Sequence, residues 1–453
     1  MSRLQGWRPG SRSLELVLVV LLVTGMLVGV DRLSSSLLQA PEAPAAVRSV
    51  PVLPDGQDPF PTNPRTFRGP VYGIPGYSPT ADKPQSKLWH HDGSWWALMV
   101  SAPTGAVHVF QLSEDLTAWR DTGTVVDPRS DSRGDAVVAG DVVYVASRGT
   151  EHIALSKLVY DQPRGAYAVA AGFPFPVATG ASESVTATLD SLGRVWLTYQ
   201  QRRRVHVMHS TSSDREWTQP FPPGVDDQRL SSDDLSTIVS VDGGVAVMWS
   251  DQVSGAFRYA QHDDDDPDEV WRVETPLEGE NVADDHISAT VTTDGRVLAI
   301  VKTSNNDDLE AADEPGILLL VREPEGGSWS AVPVTTAEED WTRPILVVDQ
   351  ASEEVLVFAT SATRGGSILL HCSPLGRIDF SRGRSRPFIH PYDAVNNVTS
   401  AKAPVTADSG LVVLASTGGS EARYYYAVMR AGAQDAPATA PRLDAGADER
   451  SSC

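Results

Sequence analysis

Cysteine is almost absent. The chain has two, Cys372 and Cys453, in 453 residues, too few for a disulfide scaffold and without the paired spacing of a zinc site. Basic residues are also scarce: 37 Lys and Arg stand against 59 Asp and Glu, a net charge of −22, which argues against a surface built for nucleic acid or an anionic membrane. Long apolar runs are missing, with one exception at residues 16–30, which follows Arg3, Arg8 and Arg12. Beyond it no long segment spaces its apolar residues at helical intervals, so helical and α/β folds are not expected. No Ser-His-Asp elbow, phosphate-binding glycine loop or paired-histidine metalloprotease motif occurs.

What the chain does have is a period. An aromatic returns about every fifty residues, the interval of a repeat architecture, at Trp119, Tyr167, Trp217, Trp271, Trp329 and Phe380. Each follows a β-like run. A second series has a Gly or acidic turn before an apolar strand: Asp92-Gly93, Gly140-Asp141, Leu192-Gly193, Asp242-Gly243, Asp294-Gly295, Ser352–Glu354 and Asp408–Gly410. Such residues suit hairpin turns that need positive φ, and the flanking segments are rich in β-branched and aromatic residues. Repeats of this length with four strands each read as blades of an all-β, seven-bladed β-propeller, six blades being the alternative if one repeat is an insertion.

The last repeat lacks an aromatic outer strand, and Arg65–Tyr72, which precedes the first, is the natural segment to complete it. The propeller is expected over 62–432. Before it, 1–32 reads as a basic end with an apolar export signal or membrane anchor at 14–30, and 33–61 as a proline-rich linker. After it, 433–453 reads as a disordered tail. The propeller is then exported, either held on the outer face of the cytoplasmic membrane or secreted. Oligomeric state is not encoded in any of these features.

Ser86–Trp96, Ala283–Ser288, Trp341–Ile345 and Tyr424–Tyr426 resemble a group of exported bacterial propellers related to the sialidase-like, Asp-box (BNR) superfamily, a group without an assigned activity. The resemblance implies the propeller fold and a polar, glycan-directed site. The Asp boxes themselves are degenerate, with Ser113-Glu114-Asp115 before Trp119 and Ser212-Ser213-Asp214 before Trp217 lacking the usual glycine. The arginine set and tyrosine nucleophile of true sialidases do not map onto this chain, and Arg343-Pro344-Ile345 falls in the sixth repeat, away from the superfamily's position for its Arg-Ile-Pro motif.

In a propeller the segments leading into the innermost strands share one face with the loops between the second and third strands. Each repeat offers an ionisable group there, and apolar strand interiors keep such groups only when they are paired or useful. Candidate catalytic residues are Asp135, Glu183, Asp234, Asp285 and His286. Candidate substrate-binding residues are Lys87, Arg133, Arg148, Arg202 and Lys302, with Asp340, Arg343, Tyr392 and Lys402. Carboxylates about 5–5.5 Å or 6.5–9.5 Å apart suit retaining or inverting glycoside hydrolysis. The reading is therefore a propeller that binds carbohydrate at its mouth, with hydrolysis as the further step open to it. Two alternatives stay open: a non-catalytic protein-interaction platform, and a calcium-dependent lyase or hydrolase using Asp284, Asp285 and His286. No other cofactor and no nucleic-acid partner is expected.

Overall fold

The computed structural model describes residues 60–81, 84–307, 312–361, 366–382, 385–391 and 393–432. The apolar run at 14–30, the linker before residue 60, the tail from 433 and Tyr392 lie outside them. The described chain forms seven antiparallel sheets, the blades of a seven-bladed β-propeller. Strand β1 (Arg65–Val71) comes first in the chain and belongs to the last blade. Blade 1 is β2 (Leu88–His91), β3 (Ser94–Val100), β4 (Val107–Leu112) and β5 (Trp119–Asp127). Blade 2 is β6 (Arg133–Ala139), β7 (Val142–Arg148) and β8 (His152–Asp161), edged by β9 (Ala166–Val169) and β10 (Phe175–Thr179), which share β8 between them.

Blade 3 contains β11 (Val185–Leu189), β12 (Val195–Gln201) and β13 (Arg204–His209). Blade 4 is β14 (Ser236–Val241), β15 (Gly244–Asp251), β16 (Ala256–Asp263) and β17 (Arg272–Glu278). Blade 5 is β18 (Ile287–Val291), β19 (Val297–Lys302), β20 (Pro315–Arg322) and β21 (Trp329–Thr336). Blade 6 is β22 (Trp341–Asp349), β23 (Glu354–Ser361), β24 (Ser367–Pro374) and β25 (Arg386–Ile389). Blade 7 is β26 (Asn396–Thr399), β27 (Leu411–Ser416), β28 (Arg423–Met429) and β1.

The ring closes as the repeat pattern predicts. β1 pairs antiparallel with β28, Arg65 opposite Val428 and Phe67 opposite Tyr426. The Phe67 ring stacks on Tyr426 with centroids 5.2 Å apart, and Trp119 of blade 1 meets Tyr426 edge-on at 5.8 Å. Such pairs add about 0.5–1.5 kcal/mol beyond the area they bury. The first strand of each blade lies innermost, as the parallel bridges Leu88–Ala401 and Asp349–Val405 between neighbouring blades record. Asp92 (φ 48°) and Gly93 (φ 69°) are both left-handed, the conformation that a two-residue hairpin requires.

Blade 3 departs from the repeat. Trp217 reaches only an isolated bridge to Ser210, and Phe221 one to Val207, so the sheet keeps three strands. Pro220, Pro222 and Pro223 surround that segment and remove the N–H donors that an outer strand would use.

Adjacent blades are also clamped by charge. Glu274 of blade 4 accepts bonds from Arg322 Nε (2.9 Å), Arg322 Nη2 (2.7 Å) and Trp329 Nε1 (2.6 Å), all from blade 5. Burial works against the Glu274 carboxylate, but these donors outweigh it and hold the group below the usual range.

Candidate functional site

The centre of the mouth is closed by a buried network. Asp135, fully buried on β6, accepts the Ser86 N–H of blade 1 and the Ala187 N–H of blade 3, each at 2.8 Å. The Lys402 ammonium crosses from blade 7 to the same carboxylate and to the Ala187 carbonyl at 2.6 Å. Beside it, buried Lys87 donates to Gln85 Oε1 (2.7 Å) and the Gly134 carbonyl (3.0 Å), while Gln85 Nε2 reaches the Val185 carbonyl at 2.8 Å. The chain between β1 and β2 thus runs over the mouth, and Asp135, Lys87 and Lys402 tie four blades together.

Asp234 is likewise engaged. It is fully buried, and it accepts bonds from Ser231 N (2.6 Å) and from Gln252 N (3.2 Å) and Nε2 (3.0 Å). Burial pushes its carboxyl up, against these donors.

A second cluster sits where blades 5 and 6 meet. The side chains of Asp284, Asp285 and His286 are 13%, 14% and 9% exposed. Both carboxylates face His286 Nδ1, Asp285 at 2.5 Å, and the Lys302 ammonium lies 2.6 Å from Asp284 Oδ2. The three candidate ligand atoms lie within 4.8 Å of one another. The donor set does not fit calcium, which takes six to eight oxygen ligands, because one of the three is an imidazole and an ammonium already neutralises Asp284. The far side of the ring, Nε2, faces Thr342 Oγ1 at 3.4 Å, and Arg343 Nη1 approaches the same hydroxyl at 3.4 Å.

Arg343 marks the opening beyond. Its backbone is left-handed (φ 56°) inside β22, where the pairing with β23 slips between Thr342 and Ile345. A bulky residue before proline rarely adopts that conformation, and strain of this kind costs about 1–3 kcal/mol. The bulge re-aims the side chain. Thr342 and Arg343 line one wall of a groove of about 590 Å³ between blades 6 and 7, with Thr360, Asn396, Asp393 and Glu421 also lining it and Gly418-Gly419 supplying bare backbone. Asp393 and Glu421 are both contacted by Arg68 Nη2, at 3.4 and 3.1 Å. The Tyr425 hydroxyl also donates to Asp393; burial and then that bond push the phenol up, so it stays protonated.

The other candidate residues lie around the rim. Glu183 is exposed, and Arg202 occupies the left-handed (φ 53°) turn between β12 and β13, also exposed. Arg133 and Arg148 face each other across β6 and β7, with the Arg133 guanidinium 4.8 Å above the Tyr77 ring. Asp340 ends a short 3-10 turn in a left-handed conformation (φ 52°) next to the groove wall. Sequence reasoning had no signal for Asn396, Thr360 or the Gly418-Gly419 loop, which are short polar residues from separate strands. Tyr392 lies outside the described residues, and the tyrosine hydroxyl that the structure places on Asp393 is that of Tyr425.

No protein-family profile matches the chain, and no curated protein matches it. Solved structures do. A lectin from Burkholderia pseudomallei is 14% identical with a TM-score of 0.52, covering 77% of this chain and 96% of its own. An α-L-arabinanase from Penicillium chrysogenum is 10% identical (TM-score 0.43, 69% and 97% covered). The NanB sialidase of Streptococcus pneumoniae is 12% identical (TM-score 0.33, 62% and 48% covered). At these identities the lectin likeness speaks to fold alone.

Proposed function

We propose that this chain is an exported carbohydrate-binding propeller that holds its ligand in the groove between blades 6 and 7. The observation that carries the reading is the strained Arg343 at the groove wall, opposite Asn396, Asp393 and Glu421. A guanidinium, an amide, carboxylates and exposed loop backbone around one concavity offer donors and acceptors to a hydroxylated ligand. The fold likeness to a lectin is consistent with that ligand class. The apolar run at 14–30, behind basic residues, supports export.

Binding suits the groove better than hydrolysis. Asp393 and Glu421 are held by Arg68, and Asp284 and Asp285 are turned onto His286, so none of these carboxylates stands ready as an acid with a distant base. The test is a glycan-array screen of the full chain beside Arg343→Ala and Asn396→Ala, with mass-spectrometric detection of products. The expected result is selective retention without product, weakened about ten- to hundredfold by Arg343→Ala at unchanged melting temperature, since a charge-assisted hydrogen bond is worth about 1.5–3 kcal/mol. An array without signal overturns the binding reading. Product that disappears in Asp285→Asn would replace it with hydrolysis.

A further inference from the structure

The face of the ring opposite the mouth carries a second concavity. Below the Lys402–Asp135 pair the central channel widens to a cavity of about 420 Å³, within the range of about 300–1,000 Å³ that small-molecule sites occupy. Its wall is mostly apolar, with Val137, Ile238, Val239, Val291 and Pro404 from the innermost segments of blades 2, 4, 5 and 7, and with Trp95 of blade 1. Thr188, Ser240 and Thr290 add hydroxyls, and Lys402 forms the inner end. Val138, also on this wall, is 36% exposed, so the cavity opens to solvent rather than lying sealed in the core.

The rim of that opening is acidic. The turns that follow the innermost strands carry Asp92, Asp141, Asp242, Asp294, Glu353 and Asp408, all exposed. The nearby cations are largely spoken for: Arg194 is held by Asp190 at 2.5 Å and Arg296 by Asp294 at 2.9 Å. Asp242, Glu353 and Asp408 make no ion pair among the described residues. His90 lines the cavity, its ring 5.7 Å from that of Trp95. Burial, and then the nearby His91, push His90 below its ordinary value, so at neutral pH it adds no positive charge there.

We propose that this distal cavity binds a small amphiphilic cation, an ammonium-bearing molecule whose apolar body enters the channel while its charge stays among the rim carboxylates. An apolar wall favours burial of a hydrocarbon or ring, and exposed carboxylates on the surrounding turns attract cations. The site is separate from the groove between blades 6 and 7, so its test does not depend on that reading.

The experiment is titration calorimetry of the full chain with octylammonium, octanol and octanoate at low ionic strength, repeated with the paired variant Asp242→Asn, Asp408→Asn and with Val138→Trp. Octylammonium is expected to bind at least tenfold tighter than octanoate. The paired variant is expected to weaken octylammonium several-fold and leave octanol unchanged, and Val138→Trp to weaken octylammonium and octanol together. Arg343→Ala is expected to change none of the three. Thermal unfolding of each variant confirms that it folds. Equal binding of octanoate and octylammonium overturns the proposal, as does undetectable binding of octylammonium. Octylammonium binding untouched by both rim and wall variants of wild-type stability overturns it as well.

Discussion

Asp135 distinguishes two roles that a carboxylate at the mouth of a propeller can play, chemistry on a ligand or attachment between blades. It is fully buried, with one oxygen on the Ser86 N–H, the other on the Ala187 N–H, and the Lys402 ammonium alongside. Asp135→Ala leaves the buried Ala187 N–H and the partly buried Ser86 N–H without an acceptor, each costing about 1–3 kcal/mol, and takes the carboxylate from the Lys402 ammonium as well, so the loss should be about 3–5 kcal/mol. In a ring of this size about 2 °C of melting temperature goes with each kcal/mol, giving a fall of about 6–10 °C by differential scanning calorimetry at pH 7. Lys402→Met should cost less, because both N–H donors remain on Asp135. The double variant should fall short of the sum, since the pair is coupled. A melting temperature within about 2 °C of wild type for Asp135→Ala would refute the structural role. So would loss of ligand binding at unchanged melting temperature, which would return Asp135 to catalysis or recognition.

Other consequences are equally direct. Glu274→Gln removes a carboxylate whose folded-state pKa is depressed by Arg322 and Trp329 against burial. The wild-type stability advantage should therefore be full above about pH 4.5, the ordinary glutamate range, and should vanish as pH falls through the depressed value; a constant difference between pH 3 and 7, read by urea unfolding, would contradict it. Because Lys302 already neutralises Asp284, neither millimolar calcium nor a chelator should move the wild-type melting temperature, and a calcium-dependent rise would show that the ammonium is displaced. Phe67→Ala should lower the melting temperature by about 2–4 °C, because a partly buried ring loses its stacking on Tyr426 and part of its apolar burial, about 1–2 kcal/mol, and should increase aggregation by loosening β1 from the edge of β28. An unchanged melting temperature would mean that backbone pairing alone closes the ring.

The parts of this fold that were legible in sequence are those where one residue type answers one local demand. Gly93, Gly140, Gly193, Gly243, Gly295 and Gly410 all have positive φ, which is why the turn series could be counted without any structure. The repeated aromatics were equally visible: Trp119, Tyr167 and Phe380 are all buried, Trp119 against Tyr426 and Tyr167 against Trp89 and Trp96 of the preceding blades. Blade 3 broke the pattern for a reason also present in its prolines, although the period alone predicted a fourth strand there.

The site was only half legible, and the reason lies in how a ring brings residues together. Charge at the strand starts was visible, but the chain does not encode at any one place that Lys402 crosses to Asp135 across a separation of 267 residues. Once that pair and Gln85 close the centre, the open concavity moves outward to the junction of blades 6 and 7. Its wall there is assembled from Thr360, Asn396 and the Gly418-Gly419 loop, which carry no motif. Arg343 is the exception, because an ionisable residue in the segment entering an inner strand is a candidate on sequence grounds alone. Its left-handed backbone gives that choice a physical cause: the bulge spends stability to turn one guanidinium into the groove, a cost that packing alone does not require. Substituting Gly at 343 should therefore relieve strain while removing the guanidinium. If Arg343→Gly raises the melting temperature and weakens glycan retention together, the strain serves the ligand; if it lowers the melting temperature, Arg343 is structural and the groove loses its main support as a binding site.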